Sequence, residues 1–176
     1  VMGYTAETFL PGCYLYRLTG YYCPGCGGGA GHQSCSIIQC SLEHGRPEFC
    51  SQCAEFPCQR LAEAVQYDSF LPHSNLLANL QQVRESGPEG LLEELSTREG
   101  LLLWLLQNCN DGRQKTLFCT AANLLPLDVL ESAVQQIRQQ IEQEPDPKKK
   151  ASLARAALQA AASGCGISLK LHKKKP

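Results

Sequence analysis

Apolar positions fall into two regimes along this 176-residue chain. Beyond about residue 60 they recur at helical intervals, whereas the earlier part has little helical periodicity and is rich in Cys, Gly and Tyr. Ser74 precedes Leu76, Leu77, Leu80 and Val83, a spacing that gathers apolar side chains on one helix face behind an N-cap, and Gly87 predicts the stop. Ser96-Thr97-Arg98-Glu99 reads as a capping box, in which hydroxyl and carboxylate reciprocally satisfy free backbone donors. The apolar run from Leu101 through Trp104 to Leu106 then predicts a buried helix. Asn110-Asp111-Gly112 is a turn signal that ends it. Pro126 opens a stretch with Leu127, Leu130, Val134, Ile137 and Ile141 on one side, the strongest amphipathic pattern in the chain, ending before Pro145. Asp146-Pro147 supplies an N-cap and a first-turn proline for a last helix through Ala162, with Gly164 as its stop. Ile167-Ser168-Leu169-Lys170-Leu171 alternates like a short strand, and Lys115 to Cys119 is its nearest candidate partner.

The predicted fold is therefore mainly α. An irregular cysteine-rich metal-binding module at residues 1–60 packs on a small bundle of five or six short helices at 61–176, with room for a short terminal β-hairpin. The Leu-rich helix faces are expected to bury one another and the module's Tyr14, Tyr16, Tyr21 and Tyr22.

Charge changes this picture little. The chain carries 16 Lys+Arg against 17 Asp+Glu, so composition provides no overall attraction to nucleic acid or to an anionic membrane. Residues 1–60 hold only Arg17, Arg46 and Arg60 as basic residues, which disfavours a nucleic-acid reader. No stretch approaches the ~18 consecutive apolar residues a membrane helix needs, so a soluble protein is expected. The start, Val1-Met2-Gly3-Tyr4-Thr5, shows no basic region followed by an apolar stretch, which predicts a reducing, cytoplasmic setting in which thiols hold metal more often than disulfides.

Cysteine changes the picture most. Eight of the 11 lie between residues 13 and 58. Cys23-Pro24-Gly25-Cys26 and Cys50-Ser51-Gln52-Cys53 are C-x-x-C pairs separated by 23 residues. Two intervening residues let a tight knuckle turn both sulfurs toward one cation, and two knuckles complete a tetrahedron of the kind zinc takes. Cys13, Cys35, Cys40 and Cys58 remain for a second four-sulfur site, and His32 or His44 is a substitute donor. The expected ligands are thus Cys13, Cys23, Cys26, Cys35, Cys40, Cys50, Cys53 and Cys58, holding one or two zinc ions. Against this stands a set of buried or free thiols with no metal, but paired knuckles in a segment poor in large aliphatics favour metal, which can contribute ~10–16 kcal/mol to folding.

The run Cys23-Pro24-Gly25-Cys26, Cys35-Ser36-Ile37-Ile38-Gln39-Cys40 and Cys50-Ser51-Gln52-Cys53-Ala54-Glu55-Phe56-Pro57-Cys58, with Leu61 soon after, resembles the bacterial and archaeal cysteine-rich family called domain of unknown function 3795. The resemblance covers roughly residues 10–65 and implies a metal-binding cysteine module without an assigned activity. The family usually opens with several closely spaced cysteines, and Cys13 resembles the last of that group.

Three functions fit. A closed four-thiolate zinc site is a structural or interaction module, because no coordination position is left for water or substrate. The same thiols suit an iron–sulfur or redox protein, although the compact ferredoxin run is missing. Zinc knuckles also read nucleic acid, for which Lys148-Lys149-Lys150 and Lys173-Lys174-Lys175 are the available cations, better explained as a solvated helix start and tail. Catalysis is disfavoured: there is no H-E-x-x-H and no nucleophile elbow, and Cys109, Cys119 and Cys165 read as core or incidental thiols. Gly27 to Gly31 lacks the Lys-Ser/Thr of a phosphate loop and reads as a link between ligands.

Overall fold

The computed structural model describes residues 36–45, 47, 49–68 and 72–174. Its helices are α1 (Ser36–Glu43), α2 (Gln59–Ala64), α3 (Leu76–Ser86), α4 (Glu89–Asn108), α5 (Lys115–Leu124), α6 (Leu127–Ile141) and α7 (Pro147–Gly164), with a 3-10 turn at Cys50–Gln52. The fold is mainly helical, as the periodicity predicts, and no strand occurs among the described residues.

Helix α4 spans 20 residues, about 30 Å at 1.5 Å per residue, and links two cores. Its later half contributes Leu102 and Leu105 to the larger core, where they meet Phe118 of α5, Leu130, Val134 and Ile137 of α6, and Leu158 of α7. Its earlier half contributes Leu91 and Leu95 to a smaller core with Leu76, Leu80 and Val83 of α3 and with Phe49, Phe56 and Leu61. Side chains from both sides of residue 60 therefore share one interior.

Between the two cores lies Arg98, 8% exposed. Its guanidinium pairs with Glu94 at 2.6 Å and donates two 2.8 Å hydrogen bonds to the carbonyls of Ala122 and Leu125. Asn75 donates to the Asn123 carbonyl at 2.7 Å. The last carbonyls of a helix have no partner within it, and here side chains of α4 and of the residue before α3 satisfy those at the end of α5.

This arrangement explains two differences from the sequence reading. The capping box at Ser96 does not start a helix: α4 begins seven residues earlier, at Glu89, and runs through Ser96. Its inward positions are Leu91, Leu95, Arg98, Leu102 and Leu105, and the arginine among them interrupts an otherwise continuous apolar stripe. Likewise Asn75, not Ser74, occupies the N-cap of α3, and its side chain is committed to α5 rather than to its own helix.

Elsewhere local signals hold. Asn110 and Asp111 accept from the backbone amides of Gly112 and Arg113 in successive side-chain turns, with Gly112 at φ 91°. Asp146 accepts from the Lys148 amide at 2.9 Å behind Pro147. The stop of α7 is Gly166 rather than Gly164. Gly166 takes φ 67°, and the amides of Gly166 and Ile167 donate to the carbonyls of Ser163 and Ala162, a Schellman closure. The terminal hairpin for which the pattern left room is not formed by these segments: Lys115 to Cys119 opens α5, and residues 167–174 follow α7 without strand structure.

Candidate metal site

Ser36–Glu43, within the part expected to be irregular, is helical. His44 finishes this helix: its amide and its Nδ1 both donate to the Cys40 carbonyl, at 3.1 and 2.8 Å, a use of histidine suited to a helix C-terminus. Its Nε2 lies 3.3 Å from Glu55. Glu43 lies 4.0 Å from Arg60 at the start of α2. These two pairs bridge α1 to the segment 55–60, and α1 lies against α2.

Four of the eight expected ligands lie among the described residues, and all four are partly buried. Cys40 sits in the last turn of α1, Cys50 opens the 3-10 turn, Cys53 closes it and Cys58 is the N-cap of α2. The turn is held by amides of Gln52 and Cys53 donating to the carbonyls of Phe49 and Cys50, which sets Cys50 and Cys53 at its two ends. Burial pushes the Cys40 thiol up; Arg60 pulls it back down, while Cys58, Cys53 and Glu43 push it further up. The Cys40 thiol thus lies within electrostatic reach of those of Cys53 and Cys58. His44 Nδ1 is 3.6 Å from the Cys40 sulfur, but both ring nitrogens are engaged elsewhere, and the bond to Cys40 and the Glu55 carboxylate keep its pKa raised.

Ser51 stands between the two thiols of the turn. It is 4% exposed, and its hydroxyl has no hydrogen-bond partner among the described residues. A buried hydroxyl without a partner is costly, so Ser51 leaves an unmet donor within the turn. Among the described residues, no three His, Cys, Asp or Glu side chains are placed to hold a metal ion together. Cys13, Cys23, Cys26 and Cys35 lie outside the described residues, as do His32 and Tyr14, Tyr16, Tyr21 and Tyr22.

Sequence reasoning treated Phe56 and Leu61 only as motif letters, yet they anchor the cysteine segment in the smaller core. Arg84 of α3 reaches back to Phe56, donating to its carbonyl at 3.2 Å and lying 5.6 Å from its ring centroid. The signal available was their size: large apolar residues beside the cysteines, of the kind most often buried. The remaining thiols divide as expected, with Cys109 and Cys119 buried and Cys165 exposed. Of the described histidines, His73 and His172 gather around Asp68, each through its backbone amide, and His73 Nδ1 donates to the Ala64 carbonyl. No helix among the described residues is long and apolar enough to cross a membrane.

A small helical protein carrying a cysteine-rich segment on its minor core is the class that this geometry defines. Residues 10–63 match the family described as protein of unknown function, DUF3795, so the resemblance carried by the cysteine motifs is shown for the N-terminal part of the chain. Comparisons with curated proteins and with solved structures find no match.

Proposed function

We propose that the cysteine-rich part of this chain binds zinc in a closed, non-catalytic site, with ligands drawn from Cys13, Cys23, Cys26, Cys35, Cys40, Cys50, Cys53 and Cys58. The observation that carries this reading is the placement of four partly buried cysteines, Cys40 on α1, Cys50 and Cys53 at the two ends of the 3-10 turn and Cys58 at the start of α2, in segments tied together by the His44–Glu55 and Arg60–Glu43 pairs. The described thiols do not form a complete ligand set, so the remaining donors come from the four cysteines that precede them. Zinc suits such a set because it takes soft thiolates tetrahedrally without a geometric preference of its own. When bound, it supplies folding free energy to a segment whose apolar anchors are few. The module then serves to hold a surface for a protein partner and to brace the helical part, in the reducing setting of a cytoplasmic protein.

Elemental analysis together with an absorption spectrum, on protein purified without oxygen, tests this directly. Stoichiometric zinc in a colourless sample is expected. Iron with acid-labile sulfide would replace it with the redox reading, and a metal-free, folded chain would overturn both. Cys53→Ser should lose metal and helicity, whereas Cys165→Ser, at an exposed thiol beyond α7, should retain both.

A further inference from the structure

The near-neutral net charge conceals a segregation. From residue 147 to the end, the chain carries 8 basic residues and no acidic one. Part of this stretch folds back over the larger core: α7 runs to Gly164, and the following residues cross toward the segment after α2. Both ends of the crossing are fastened. At one, the Ile167 amide donates to the Ala162 carbonyl at 2.8 Å. At the other, the Asp68 amide donates to the His172 carbonyl at 2.8 Å, the His172 amide donates to the Asp68 carboxylate at 2.6 Å, and Tyr67 stacks on the His172 ring at 5.3 Å.

The fastened crossing, the later half of α7 and the start of α5 enclose a groove of about 560 Å³. Such a volume is within the usual range for a small-molecule site. Among the described residues, Arg113, Arg155 and Lys170 line it, no carboxylate does, and none of the three takes part in an ion pair. Half-buried Leu117, Ile167 and Leu169 supply an apolar surface in the same groove. Three cations sharing one concavity repel one another unless an anion joins them. Two guanidinium forks with an ammonium suit the oxygens and the double charge of a phosphate monoester better than the single charge of a carboxylate. Because the wall is fastened at both ends, little ordering remains for a ligand to impose.

We propose that this groove binds a small organic phosphate, its dianionic head held by Arg113, Arg155 and Lys170 and its apolar body lying on Leu117, Ile167 and Leu169. Its described lining takes no residue from the cysteine module, and it stands whether or not metal is found there.

Calorimetric titration of the full chain with 1-naphthyl phosphate, inorganic phosphate and neutral 1-naphthol at moderate salt tests it. The ester should bind at least about tenfold more tightly than either fragment, since each fragment meets only half of the groove. Arg113→Gln and Arg155→Gln, both at exposed positions, should each weaken the ester about tenfold or more while leaving the circular dichroism and melting temperature unchanged. Lys148→Gln, two turns earlier on α7 and outside the groove, should change affinity by less than about twofold. Equal binding of ester and inorganic phosphate would overturn the proposal, as would equal weakening by Lys148→Gln, which would indicate a diffuse positive field. Displacement of the ester by a single-stranded oligonucleotide that depends equally on Lys148 would reassign the surface to nucleic acid, and absence of ester binding at millimolar concentration would remove the site.

Discussion

Cysteine does three different things in this chain, and burial separates them. Cys109 and Cys119 are completely or almost completely buried among leucines and alanines, and burial pushes their thiols up to about 11 and about 12. Cys165 is exposed just beyond α7, and the module's cysteines are intermediate. Thiolate is the reacting species, so a maleimide at about pH 8 should label Cys165 in the native protein and leave Cys109 and Cys119 unlabelled until denaturant is added, as read by peptide mass spectrometry. Labelling of Cys119 in the native state would place it outside the core. The same shifts fix a pH dependence. In the unfolded chain these thiols ionise near 9.0, and in the fold they keep their protons beyond that. Their contribution to stability is therefore complete below about pH 9 and is lost as the pH rises toward the folded values, so urea midpoints should fall above pH 9, less steeply in Cys119→Ala. Lone cysteines amid Leu and Phe already predict this division from sequence. Sequence neighbours do not show which thiols lie near Cys40, because Cys53 and Cys58, whose charge it feels, come from other elements.

For the helices, local chemistry was legible wherever the partner lay within a few residues. Asp146-Pro147 starts α7, the amphipathic stripe from Leu130 to Ile141 faces the core, and Asn110-Asp111-Gly112 turns the chain. The start of α4 was not legible, because the inward-facing residue at position 98 is an arginine whose hydrogen-bond partners lie 24 and 27 residues away. Within the sequence it looks like a break in the stripe; in the fold it caps α5. Arg98→Met should accordingly cost about 3 kcal/mol in denaturant unfolding, since it leaves two buried helix-end carbonyls without a donor. A cost below about 0.5 kcal/mol would make this cap dispensable. Gly166 shows the same contrast more mildly. Nothing lies within 4 Å of a Cβ built there, so Gly166→Ala should cost only the roughly 1 kcal/mol of a left-handed backbone.

For the whole molecule, α4 joins two interiors of unequal kind. The larger is closed by α4, α5, α6 and α7, with no side chain of the described part of the cysteine segment in it, whereas the smaller is completed by Phe49, Phe56 and Leu61. If zinc holds that segment, a strong chelator should raise hydrogen exchange across residues 49–64 and α3 first, while α5 to α7 remain protected. Simultaneous loss of protection everywhere would show that the two cores unfold as one unit.

The sequence alone determined the helical class, the positions of α3, α6 and α7 and the grouping of thiols into a family-like segment, since each of these depends on period, caps and spacing that act over a few residues. Only the tertiary structure decided that Arg98 is an interior residue, that Phe56 and Leu61 anchor the cysteine segment, and that Arg113, Arg155 and Lys170 share a groove. In each case the partner is distant along the chain, and a contact that closes a long loop leaves no mark in local spacing.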